Sequence, residues 1–159
     1  MFAQTLLAQL DLLDKQPAQA VKRFDHASFA QLGELPAQQQ IRSGLTKAER
    51  EMIVVATSAA NQCQYCVIAH GAILRIRAKS PEIADQIAIN YRKADITPRQ
   101  RAMLDFAMKV ALEAQAVDDA DFKTLASHGF SDDDIWDITA IAAFFALSNR
   151  IANVTGMRP

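Results

Sequence analysis

Four residues of this chain have types and spacing that point to chemistry: Glu51, Cys63, Cys66 and His70. Both cysteines of the 159-residue chain fall in Cys63-Gln64-Tyr65-Cys66, and His70 follows Cys66 by four positions. Residues four apart share one helical face, so on a helix the Cys66 sulfur and the His70 imidazole are neighbours. Residues three apart have Cβ atoms about 5–6 Å apart, and a disulfide takes about 3.5–4.5 Å, so a slightly tightened first turn would let Cys63 and Cys66 bond. Free N–H groups and the dipole at a helix N-terminus favour the thiolate, the form that attacks peroxide oxygen or a disulfide. His70 can take the Cys66 proton directly or through a water, and a carboxylate behind the imidazole fixes its tautomer and makes it a better base. Glu51 is the candidate carboxylate, in the second turn of the preceding helix on a face with Val55 and Ser58. The order of attack stays open: His70 favours deprotonation of Cys66, whereas a helix start favours exposure of Cys63.

These groups suffice for a dithiol cycle. One thiolate attacks a hydroperoxide and becomes a sulfenic acid, the second thiol condenses with it to a disulfide, and an unidentified external dithiol restores the pair. Bland readings stand beside this one. Lone cysteines are usually packing residues, Glu51 alone reads as an exposed early-turn acid favoured by the helix dipole, and Tyr65 reads as packing, although its hydroxyl could donate to a peroxide oxygen. Trp136, Phe144 and Phe145 read as core or interface. Metal is the chemical rival: Cys63, Cys66 and His70 supply three ligands, a closed zinc site needs four, and neither His26 nor His128 has ligand spacing. A catalytic zinc held by these three ligands and a water stays open as an alternative, and the expectation is no metal and no cofactor.

The elements that must position these groups are helical. With 50% hydrophobic residues, five Gly and five Pro, strand-like alternation is nearly absent and the chain reads as a single all-α domain over 1–159. Helices are expected over 3–14 and 18–32, the second entered through Pro17. Thr46-Lys47-Ala48-Glu49, Thr97-Pro98-Arg99-Gln100 and Ser131-Asp132-Asp133-Asp134 are capping boxes, each preceded by an apolar residue (Leu45, Ile96, Phe130). Their likeness hints at an internal repeat. Asn61-Gln62 breaks the first of these helices, and the next runs from near Cys63 through Arg77. Ser80-Pro81-Glu82 opens another that ends near Arg92. The last, 132–153, is apolar almost all round, which predicts a central or interfacial position.

A formal net charge of −1 leaves no electrostatic footprint for nucleic acid, and Arg75, Arg77 and Lys79 read as a solvated helix face. The longest uncharged apolar run, Ile138 to Ser148, is too short to span a bilayer, and the N-terminus lacks a basic leader. A cytoplasmic protein is expected, where a close Cys pair is catalytic or metal-binding more often than structural.

The stretch LTKAEREMIVVATSAANQCQYCVIAHGAIL (Leu45 to Leu74) resembles the alkylhydroperoxidase D-like branch of the carboxymuconolactone decarboxylase superfamily. The tail GFSDDDIWDITAIAAFFALSNRIAN (Gly129 to Asn153) is similar to uncharacterised peroxidase-related members of that branch. The likeness covers about 30–159, with a family core over 45–159. It implies an all-helical fold, homo-oligomers (trimers or hexamers), peroxidase chemistry with Cys63 and Cys66 as the redox pair, and a proton relay from Cys66 through His70 to Glu51. The best-known members carry a second histidine directly before the second cysteine, where this chain has Tyr65. Decarboxylase members lack the Cys pair. Two other readings compete: a disulfide oxidoreductase or redox sensor without significant peroxide turnover, and a helical assembly or binding module with incidental thiols.

Overall fold

A computed structural model describes residues 43–159. The chain divides into two units, Met1–Gln40 and Ile41–Pro159; the helices expected over 3–14 and 18–32, and His26, lie outside the described residues. Among the described residues there are six α-helices and no strand. They are α1 (Lys47–Ala60), α2 (Gln64–Ala78), α3 (Ile83–Asn90), α4 (Pro98–Glu113), α5 (Asp119–Ser127) and α6 (Asp132–Val154), with 3-10 turns at Tyr91–Lys93 and Ala114–Ala116. The fold is all-α, as the composition predicts.

The helix starts follow from local chemistry. At α1 the Thr46 hydroxyl accepts the Glu49 N–H at 3.1 Å and the Glu49 carboxylate accepts the Thr46 N–H at 2.9 Å. Reciprocal boxes of the same kind open α4 at Thr97/Gln100, with Pro98 in its first turn, and α6 at Ser131/Asp134. A fourth, Asp118/Asp121, opens α5, a helix that the sequence patterns do not announce. The boxes are also joined in space. The Glu49 carboxylate is paired with Arg99 in the first turn of α4, and the Arg99 guanidinium lies 3.8 Å from the ring centroid of Phe130, just before α6. Asp134 accepts the Gly44 N–H as well as its own cap.

The central helix is α1. Every residue from Glu51 to Ser58 is buried, so this stretch is enclosed all round, and α2, α3, α4 and α6 all pack against it. Each large apolar side chain enclosed there contributes roughly 1.5–3 kcal/mol relative to exposure. α6 is long and apolar enough by composition to cross a bilayer. It packs instead as a core helix, placing Ile135, Ile138, Ile141, Ala142 and Phe145 in the apolar cluster and leaving Trp136, Leu147 and Val154 exposed.

The link between α1 and α2 is three residues long. Asn61 ends α1, Gln62 turns the chain at φ +53°, and Cys63 caps α2. A non-glycine residue in the left-handed region is uncommon, and here it reverses the chain tightly enough that the Cys63 N–H bonds the Ser58 carbonyl at 3.0 Å. α1 and α2 therefore run antiparallel, with the end of α1 beside the start of α2.

Candidate functional site

Three helices each present a short stripe at helical spacing. α1 contributes Glu51 and Ser58, two turns apart. α2 contributes Cys66, His70 and Arg77. α6 contributes Phe145, Ser148 and Asn149. Because α1 and α2 are antiparallel, the stripes meet as two polar clusters about 10 Å apart along the helix axis, one around Glu51 and one around Ser58.

At the first cluster Glu51 Oε2 lies 2.8 Å from His70 Nδ1, and Arg77 Nη1 donates to Glu51 Oε1 at 2.7 Å. The carboxylate is enclosed, with 9% of its side chain exposed, while His70 keeps 22% and Arg77 37%. Glu51 is therefore not the exposed early-turn acid of the bland reading. Arg77 is not part of a solvated face either, and Arg75 is committed to the Pro81 carbonyl and Asp85. The Phe145 ring stands edge-on to the imidazole, centroids 4.9 Å apart and planes at 86°. Ring contact on one side and a carboxylate on Nδ1 hold the imidazole in one orientation.

At the second cluster Cys63 is the N-cap of α2, and its sulfur accepts the Cys66 N–H at 3.4 Å. Both cysteines are free thiols, 0% and 1% exposed. The exposure expected for Cys63 at a helix start is absent because the Gln62 turn folds it back against α1. The Ser148 and Ser58 hydroxyls stand beside the Cys66 thiol. Burial pushes this thiol well above the usual cysteine range, the neighbouring Cys63 sulfur pushes it further, and the two serine hydroxyls pull the other way. Tyr65 stands near enough to both sulfurs that burial, then the charges of Cys66 and Cys63, raise its hydroxyl too. Behind the thiols, Ser58 Oγ donates to Asn149 Oδ1 at 3.0 Å, and both residues are wholly buried.

All four sequence candidates, Glu51, Cys63, Cys66 and His70, thus lie along one α1/α2 interface closed by α6. Ser148 and Asn149 are not among the sequence candidates, although a Ser-Asn pair inside the apolar run of α6 is a readable signal. Phe145 is both core and site. Among the described residues no group of three His, Cys, Asp or Glu side chains is placed to hold a metal. His128 lines a separate cavity of about 540 Å³ with Arg101, Asp105 and Lys109.

Residues 18–90 match the model of the carboxymuconolactone decarboxylase family, a match that begins upstream of the core expected from residue 45. None of the curated proteins matches the chain. Among solved structures it is similar to the alkylhydroperoxidase AhpD core of an uncharacterised peroxidase-related protein from Ralstonia eutropha JMP134, at 55% identity over 96% of this chain and 83% of that one, with a TM-score of 0.79. An uncharacterised peroxidase-related protein from Silicibacter sp. TM1040 is 35% identical over 99% of this chain and 85% of that one, with a TM-score of 0.78. The debrominase Bmp8, 21% identical over 92% of this chain and 73% of that one, shares the fold at a TM-score of 0.67. By its helical fold and by these likenesses, the chain belongs to the carboxymuconolactone decarboxylase family, within its alkylhydroperoxidase D-like, peroxidase-related branch.

Proposed function

We propose that the protein is a thiol-dependent peroxidase working through a Cys63/Cys66 dithiol–disulfide cycle with His70 and Glu51 as its proton relay. The observation that carries this reading is the Glu51–His70 contact at 2.8 Å, one helical turn from a thiol that burial holds protonated. A buried thiol of raised proton affinity needs a base, and an imidazole backed by a carboxylate is one.

His70 takes the Cys66 proton. The thiolate attacks the terminal oxygen of a hydroperoxide ROOH, the O–O bond breaks, the sulfur becomes a sulfenic acid, and ROH leaves with the proton returned by His70. The Cys63 thiol attacks the sulfenic sulfur, forming the disulfide and releasing water. An external dithiol is then oxidised to its own disulfide as the pair is reduced. Cys63, already touching the Cys66 amide, is placed to react before over-oxidation.

Both sulfurs are buried, so hydroperoxide and reductant alike reach them through a local opening, and the rival disulfide oxidoreductase is separated by the assay of peroxide consumption. We read the protein as a cytoplasmic homo-oligomer without metal or nucleic-acid partner; exposed Ile76, Ile89, Trp136 and Val154 supply apolar surface for contacts between copies.

Peroxide consumption with dithiothreitol as reductant, in wild type and in Cys66→Ser and Cys63→Ser variants, tests the reading. Turnover in wild type and its loss in both variants supports it. Thiol–disulfide exchange without peroxide loss would replace it with the oxidoreductase.

A further inference from the structure

Asn149 is wholly buried, and its side-chain nitrogen has no hydrogen-bond partner among the described residues. A buried orphan N–H is costly and rare in folded proteins. This one belongs to a carboxamide whose other end is occupied: Oδ1 accepts the single hydroxyl proton of Ser58 at 3.0 Å. Ser58 in turn stands beside Cys66, where its hydroxyl favours the thiolate. Three groups therefore form a chain across helices α6, α1 and α2, and the chain has a direction. With both cysteines as free thiols, the Ser58 O–H points to Asn149. The Ser58 proton is then turned away from the sulfur.

A carboxamide has nearly the same shape at both ends, so turning it over exchanges oxygen and nitrogen without repacking. After that turn the Asn149 N–H donates to Ser58 Oγ, and the Ser58 proton is released to the sulfur. We propose that Asn149 is a positioning residue that, through Ser58, reverses this hydrogen-bond chain when Cys66 loses its proton, and so favours the thiolate. The asymmetry lies in which group is left alone. The thiol state strands an N–H; the thiolate state strands a carbonyl oxygen, which buried structure tolerates better. The Cys66 proton goes to the His70 imidazole, no bond other than S–H is broken, and no oxidant is required. The inference deepens the peroxidase reading by naming what prepares its nucleophile, and rests on that reading for its purpose alone.

The titratable groups around Cys66 are Cys63, Tyr65 and His70 on its own segment, and Glu51 with its Arg77 partner beyond His70. The α6 face contributes Ser148 and Asn149, which carry no charge. A shift produced by replacing Asn149 therefore does not come from adding or removing a charge.

The test is the pH profile of alkylation by iodoacetamide, resolved between Cys63 and Cys66 by peptide fragmentation, in wild type, Asn149→Ala, Ser58→Ala and the double variant. Each single change is expected to displace the Cys66 profile about one unit to higher pH, making alkylation about tenfold slower at any pH below the midpoint. The double variant is expected to go no further than Ser58→Ala, because Asn149 acts through that hydroxyl. Cys63 in the same peptide is the internal reference, since a change in access alone slows both cysteines together. An unmoved Cys66 profile in Asn149→Ala, or singles that simply sum in the double, overturns the assignment. If the alanine variant does not fold, Asn149→Leu replaces it: the side chain is of similar size with neither donor nor acceptor, and the same displacement is expected. Alkylation needs no peroxide, so a protein that consumes none but shows the shift keeps this inference and loses the function proposed above.

Discussion

Glu51 and His70, 19 residues apart in sequence, meet at 2.8 Å across the α1/α2 interface. The contact depends on the antiparallel turn at Asn61-Gln62-Cys63, which returns the chain so that the second turn of α1 faces the middle of α2, between His70 and Arg77. The second carboxylate oxygen goes to Arg77, two further turns along α2. One carboxylate thereby fixes both an imidazole and a guanidinium, and the imidazole is held with its Nδ1 occupied.

Glu51→Gln keeps the shape of the contact but removes the charge that stabilises an imidazolium. We expect alkylation of Cys66 at neutral pH to slow about tenfold, less than the ~10²–10⁴-fold of a group that itself transfers the proton, because Glu51 acts through His70. Chemical denaturation should show a stability loss of about 1 kcal/mol or less, because the Arg77 left without its partner is partly solvated. An unchanged alkylation rate would remove Glu51 from the relay.

Arg77→Ala should do less. The Arg77–Glu51 pair is more than a third exposed on the arginine side, so solvent and salt discount it. The expected effect is a two- to five-fold fall in peroxide turnover, corresponding to about 0.5–1 kcal/mol. A fall as large as that of Glu51→Gln would show that Arg77 contacts the substrate rather than anchoring the carboxylate.

Cys63→Ser separates folding from function. The sulfur caps α2 by accepting the Cys66 N–H, and a serine hydroxyl is a preferred N-cap. Stability should hold or rise by up to about 1 kcal/mol, while hydroperoxide treatment should carry Cys66 past the sulfenic to the sulfinic acid, a gain of two oxygens by intact mass. Accumulation of a stable, unoxidised Cys66 thiol would mean that Cys63 is the sulfur that attacks.

The helix starts are legible in the sequence because their chemistry is local. Thr46, Thr97 and Ser131 each carry an acid or amide three residues on, and all three boxes form. The α2 start at the cysteine pair follows from the same local logic. Asp118-Asp119-Ala120-Asp121 escapes notice because an Asp-to-Asp box lacks the Ser/Thr and Glu signature, and α5 buries only Leu125. The site is legible where it lies on one helix, as Cys66 and His70 do. Beyond Glu51, which the Glu–Cys-x-x-Cys–His pattern names on the neighbouring helix, it is not legible where it depends on distant helices brought together by tertiary packing. Ser58 and Asn149 are 91 residues apart, and no spacing rule joins them. The expected exposure of Cys63 fails for a similar reason: helix-start chemistry says nothing about the neighbouring helix that covers it.

Acid should act on the fold through Asp134. Burial opposes its ionisation, but hydrogen bonds from the Ser131 backbone and hydroxyl and the Gly44 N–H, with Arg99 nearby, prevail and hold its carboxyl below the usual range. A carboxylate with a lowered folded value stabilises fully above its unfolded value near ~3.9 and loses that contribution as pH falls through the folded value. Asp134→Ala should therefore cost about 1–3 kcal/mol at pH 7, since it strands donors at the α6 start. The gap between variant and wild type in urea denaturation should narrow as pH drops below about 4. A gap that stays constant with pH would show that packing, not charge, is what Asp134 supplies.

The most direct test of the account is a single turnover without reductant. Fully reduced protein is mixed with excess cumene hydroperoxide, and peroxide loss, intact mass and the Cys63–Cys66 peptide are followed together. The account predicts rapid consumption of one peroxide per chain, with loss of two hydrogens located to a Cys63–Cys66 disulfide. Thiols that remain reduced while the peroxide persists would contradict it.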